Sequence, residues 1–79
     1  MRLLFFAHLK DATGQAEMAW RVDQPVTAPE LWQALAGAFP GFERFRSTTR
    51  LARNGEYADA EARFVDGDEV AFIPPVSGG

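Results

Sequence analysis

Few side chains in this sequence are equipped for chemistry, and those few do not cluster. His8 is the one imidazole and there is no cysteine, so the usual zinc ligand sets and disulfides are out of reach. Asp66, Asp68 and Glu69 come nearest to a cation site, but an Asp-Gly-Asp turn entering a strand accounts for them. Trp20, Trp32 and Tyr57 read as core or interface aromatics. No glycine-rich phosphate loop exists, because Gly78-Gly79 has no helix after it. Nothing supplies a nucleophile–base pair. What is left for chemistry is the α-carboxylate of Gly79.

That carboxylate sits at the end of Phe72-Ile73-Pro74-Pro75-Val76-Ser77-Gly78-Gly79. Pro74 and Pro75 have no backbone N–H, so a strand reaching Ile73 cannot continue its ladder past them. Their fixed φ pushes the segment into an extended, polyproline-like form. Six residues at roughly 3.3 Å each would project on the order of 20 Å. A carboxylate with a pKa of about 3.5 is ionised at neutral pH and is a poor electrophile. A partner must therefore convert it to a mixed anhydride, such as an acyl-adenylate from ATP, before a sulfide equivalent can displace AMP and leave a thiocarboxylate. Two residues without Cβ atoms suit entry into a narrow channel where backbone donors approach the carbonyl. If the chain handles sulfur, the lack of cysteine excludes a thiol side chain as its carrier.

The elements that must position this tail are legible from periodicity. Leu3–Leu9 is a continuous apolar run, expected as a central strand with Leu3, Phe5, Ala7 and Leu9 on the core face. Residues 10–15 read as loop. Glu17–Val22 alternates and is expected to pair antiparallel with the first strand as a hairpin. Thr27-Ala28-Pro29-Glu30 has capping-box spacing, with Val26 and Leu31 placed for a hydrophobic staple. Leu31, Leu35 and Ala38, with Trp32 and Phe39 beside them, form the stripe of the main helix, which ends at Phe39-Pro40-Gly41. Residues 42–49 read as loop with room for one helical turn. Arg50–Asn54 and Glu56–Asp59 flank an Asn54-Gly55 hairpin turn. Residues 60–65 connect and carry Phe64 inward, Asp66-Gly67-Asp68 turns, and Glu69–Ile73 is the final strand. Two apolar strands at opposite chain ends are expected to pair in parallel at the sheet centre, with the helix across one face. This is an α+β, β-grasp (ubiquitin-like) arrangement: a mixed sheet of about five strands over residues 1–73 and an extended, flexible tail over 74–79.

Seventy-nine residues with 47% apolar content, seven Phe and two Trp suffice for one small core. The net charge of −3 argues against a nucleic-acid footprint; the densest basic run, Arg44, Arg46, Arg50 and Arg53, is offset by Glu43 and an acidic C-terminal third. The opening apolar run is far short of the roughly 20 residues that span a bilayer and has no small-residue cleavage site after it. A soluble, cytoplasmic protein is expected, without membrane or nucleic-acid partners.

Leu4-Phe5-Phe6-Ala7, the run Asp66-Gly67-Asp68-Glu69-Val70-Ala71-Phe72 and the ending Pro74-Pro75-Val76-Ser77-Gly78-Gly79 resemble the small, sulfur-carrier subunits of molybdopterin synthase, MoaD-like members of the MoaD/ThiS ubiquitin-like family. The resemblance runs along nearly the whole chain, and the ending is its specific part. It implies that an E1-like enzyme adenylates Gly79 using ATP and that Gly79 becomes a 1-thioglycine. A cysteine desulfurase or rhodanese would supply the sulfur. The tail would then enter the large synthase subunit, in a heterotetramer of two small and two large subunits, and give sulfur to precursor Z (cyclic pyranopterin monophosphate). In this comparison Gly78 permits tail entry and Pro74, Pro75, Val76 and Ser77 line the insertion path. Ser77 stands where the family often has Thr. The small subunit would have no active site, bound cofactor or metal of its own.

Partner docking is expected on the sheet face opposite the helix, where Phe6, Tyr57 and Ile73 are the choices for an exposed apolar patch. The same terminal chemistry would serve a carrier for thiamine or another sulfur-transfer pathway, or a ubiquitin-like modifier joined through Gly79 to lysines. A plain β-grasp binding module would make no use of Gly78-Gly79.

Overall fold

The structure is a computed structural model and describes residues 1–75. Arg2–Phe5 (β1) and Glu69–Ile73 (β7) lie side by side in parallel, with Leu3 opposite Val70 and Phe5 opposite Phe72. Leu3, Phe5, Val70 and Phe72 are all buried, while Leu4, Ala71 and Ile73 on the other face are half-buried. The period-two alternation of each strand thus puts one side chain set in the core and the next outside. Glu17–Ala19 (β2) pairs antiparallel with β1 on one side. Arg50–Arg53 (β4) pairs antiparallel with β7 on the other, and Glu56–Tyr57 (β5) closes that edge. The order is β2-β1-β7-β4-β5, so the two terminal strands are adjacent and β7 is central, as the sequence predicts.

The helix Ala28–Ala38 (α2) crosses the inner face and begins at the capping box. The Thr27 hydroxyl accepts from the Glu30 N–H at 3.3 Å, and the Glu30 carboxylate accepts from the Thr27 N–H at 2.8 Å. Leu31, Trp32 and Leu35 form its buried stripe; Ala38, expected there, is exposed, and Phe39 is half-buried at the C-cap. Val26–Thr27 (β3) pairs with Arg63–Phe64 (β6) in a second, two-stranded piece that carries Phe64 into the core. Trp32, Phe42, Phe5 and Phe72 pack with ring centroids 5.0–5.8 Å apart. Each such aromatic pair adds about 0.5–1.5 kcal/mol beyond burial.

The expected strand Leu3–Leu9 is corrected: it stops at Phe5, and Ala7–Thr13 is a helix (α1). Leu9 still reaches the core, but from a helical face it shares with Thr13 and the half-buried Ala12, an i, i+3, i+4 set. The Thr13 hydroxyl donates to the Leu9 carbonyl at 3.1 Å, and Gly14, at φ 76°, caps the helix by donating to the Lys10 carbonyl. Residues 10–13, expected as loop, are therefore helical, and β1 and β2 are joined through α1 rather than by a tight hairpin turn. Residues 42–48 form a 3-10 helix whose Phe42 is fully buried, more order than the single turn expected. β5 is two residues long instead of four. Asn54 and Gly55 both have positive φ, the geometry of a two-residue hairpin turn.

Candidate functional site

The root of the tail is the C-terminal end of β7. Because β7 pairs with β1 on one side and β4 on the other, its end is held from both flanks. Ile73 is the last residue in the ladder, opposite Arg50; Pro74 is half-buried, Pro75 is exposed, and neither belongs to a strand. That is the break expected where two N–H groups are missing. Val76, Ser77, Gly78 and Gly79 lie outside the described residues.

Register assigns the outer face of the sheet. Ala52 is opposite both Ala71 and Tyr57, and Leu4 is opposite Ala71, so these side chains lie on the face away from α2. Ile73 shares that face. Phe6 is 48% exposed, Tyr57 59%, and Ile73 half-buried; Tyr57 and Ile73 share the outer face, while Phe6 follows the last paired residue of β1 as the N-cap of α1. The three are not one contiguous cluster. Tyr57 lies on the edge strand, and Arg50 intervenes between it and Ile73, its guanidinium 3.9 Å from the Tyr57 ring centroid. A shallow cleft of about 510 Å³ beside β1 is lined by Leu4, Phe6, Lys10 and Glu17. At the far end the same face is charged: Arg2 bridges Glu17 at 2.8 Å and Glu69 at 3.5 Å.

Sequence reading passed over Arg50. The signal was available: an Asn54-Gly55 turn fixes Ala52 opposite Tyr57 and so sets Arg50 diagonal to it on the same face.

The other chemically equipped side chains are occupied structurally. Asp66 accepts from the N-terminal ammonium at 3.2 Å and from the Val22 N–H at 3.5 Å, bonds that hold its carboxyl below the ordinary value. Asp68 is lowered first by the Val65 N–H at 2.9 Å and further by the Asn54 amide at 3.1 Å. The Asn54 side chain also accepts from the Glu69 N–H at 2.9 Å, tying the hairpin to the turn that starts β7. Among the described residues no group of three His, Asp or Glu is placed to hold a metal ion. His8, expected on a strand, is exposed on α1, its ring parallel to that of Phe45 at 6.3 Å. No helix among the described residues is long and apolar enough to cross a membrane.

A mixed sheet with parallel terminal strands at its centre, one main helix across it and a proline-terminated exit from the middle strand defines a β-grasp, ubiquitin-like domain. The profile of the ThiS family matches residues 3–79, and the chain belongs to that family. It is 34% identical over 79 residues to the molybdopterin synthase sulfur carrier subunit of Arabidopsis thaliana, covering all of this chain and 82% of the relative. It is 33% identical over 87 residues to small archaeal modifier protein 1 of Haloferax volcanii, covering both chains fully. The crystal structure of SAMP1 from Haloferax volcanii superposes with a TM-score of 0.82 at 34% identity, covering 100% of this chain and 98% of the other. The subunit 1 and 2 complex of molybdopterin-converting factor from Helicobacter pylori matches at a TM-score of 0.67 and 23% identity, with 99% and 96% coverage, a likeness of fold.

Proposed function

We propose that this chain is a sulfur carrier of molybdenum cofactor biosynthesis, the small, non-catalytic subunit of a molybdopterin synthase working in the cytoplasm. The observation that carries the reading is 34% identity along the whole chain to a molybdopterin synthase sulfur carrier subunit. The geometry fits it: residues 1–73 form the folded body, and the central strand hands the chain to Pro74-Pro75 at the rim of the sheet. An E1-like partner adenylates Gly79 with ATP, releasing pyrophosphate; the persulfide of a desulfurase or rhodanese donor displaces AMP to give an acyl disulfide, and a thiol reductant cleaves its S–S bond to leave the thiocarboxylate. The segment 74–79 then enters the large subunit, and sulfur passes to precursor Z. The chain needs no bound cofactor or metal of its own for these steps. Phe6, Ile73 and Tyr57 are the apolar part of the docking face. The test is reconstitution: thiocarboxylated chain plus the large subunit from the same organism should convert precursor Z to molybdopterin. No product from a verified thiocarboxylate and a large subunit active with its own carrier sinks the reading.

A second reading is favoured by the similarity to small archaeal modifier protein 1. Under it, Gly79 forms isopeptide bonds with lysines of other proteins. Tryptic peptides carrying on a lysine the branch Phe64–Gly79, the residues that follow the last tryptic site at Arg63, would distinguish it.

A further inference from the structure

The arginines of this chain are held in different ways. Arg2 is bridged to Glu17 and Glu69, Arg46 to Glu43 at 3.2 Å, and the Arg53 guanidinium donates to the Arg63 carbonyl at 2.6 Å. Arg50 has no carboxylate or carbonyl partner among the described residues. It lies instead over the Tyr57 ring at 3.9 Å, opposite Ile73, where the sheet releases the tail. A guanidinium stacked on an aromatic face is pre-oriented and keeps its N–H edge available for a bidentate acceptor. Its neighbours on the outer face, Ile73, Ala52 and Tyr57, are apolar or aromatic. Any partner covering those side chains must also cover Arg50. A guanidinium removed from water without an acceptor is costly, so the covering surface must bring one.

We infer that the Arg50–Tyr57 stack is a charged anchor beside the tail root, and that the large synthase subunit meets it with a carboxylate side chain. The inference rests on the functional reading above and names the chemistry of the contact that reading requires. Arg and Tyr at the centre of an interface are the residue types that most often dominate binding. The apolar neighbours exclude water around the ion pair, and the charge sets the orientation in which the tail is presented.

The test is calorimetric titration of the full chain into the large subunit from the same organism, across about 50 to 500 mM NaCl. Arg50→Glu and Arg50→Met are compared with wild type, each checked for an unchanged melting transition. Arg50→Glu should weaken binding ~100-fold or more at low salt, and Arg50→Met roughly tenfold. Both should also flatten the salt dependence seen with wild type. Affinity within about twofold of wild type for Arg50→Glu overturns the inference. So does a loss that keeps the wild-type salt slope, because shape and not charge would then be responsible. Absence of binding by wild type removes the functional reading and the inference with it, whereas normal wild-type binding with an indifferent Arg50 removes the inference alone.

Discussion

The inner and outer faces of the same sheet are built to opposite rules. On the inner face Leu3, Phe5, Val70 and Phe72 are 0–1% exposed and locked against Trp32 and Phe42. On the outer face Leu4, Ala71 and Ile73 are half-buried and Tyr57 and Arg50 exposed, with only the small Ala52 buried between them. Phe72 and Ile73 are consecutive in the chain and belong to the two different regimes. The contrast teaches that β7 uses alternate side chains differently: one set holds the fold, and the other lies on the proposed docking face where the strand gives way to Pro74.

Substitutions at those two adjacent positions should therefore separate cleanly. Phe72→Ala empties the centre of the aromatic cluster and should cost about 3–5 kcal/mol in urea unfolding. Ile73→Asp should cost about 1 kcal/mol in the same assay, within the range of strand-surface effects. It should nevertheless abolish capture of the large subunit, and Phe6→Asp should weaken that capture with equally little effect on unfolding. Loss of cooperative unfolding in Ile73→Asp or Phe6→Asp would erase the distinction between the faces.

The helix over the inner face supplies a milder test. Thr27→Ala removes one half of the capping box and should lower stability by about 1 kcal/mol with partner binding unchanged. The smallest effect is pH-dependent and sits at the turn that starts β7. The Val65 N–H, with the Asn54 amide, holds Asp68 below its ordinary 3.8. A carboxylate depressed in the folded state contributes stability that is present above its unfolded value and lost as pH falls through the folded one. Stability should fall as the pH drops below about 4, and Asp68→Asn should make urea midpoints less pH-sensitive there.

The division between faces was readable in advance wherever strands alternate. Val70 and Phe72 against Ala71 and Ile73 is a period-two pattern, and the terminal apolar strands imply their own central pairing. The capping box at Thr27 and Glu30 was equally plain. The helix Ala7–Thr13 was not, because residues 3–9 are apolar but for His8 and such a run has no clear period to separate strand from helix. The deciding features are tertiary: Phe5 is the last residue paired with β7, and Gly14 closes a helix whose Leu9 still finds the core. Phe6, Tyr57 and Ile73 are expected from sequence as an exposed apolar patch on the face opposite the helix; register places Tyr57 and Ile73 there. Arg50 is not expected there, because an arginine on a strand is ordinary until its stacking on Tyr57 is seen together with the lack of a carboxylate partner among the described residues.

The functional claim comes down to one group, the carboxylate of Gly79. Intact mass of the full chain, measured after incubation with the E1-like enzyme, ATP and a sulfur donor, tests it directly. The expected result is a gain equal to the replacement of one oxygen by sulfur, mapped by fragmentation to Gly79 and absent from a chain lacking Gly79. An unchanged mass alongside a partner that modifies its own carrier, or a gain mapped elsewhere in the chain, would contradict it.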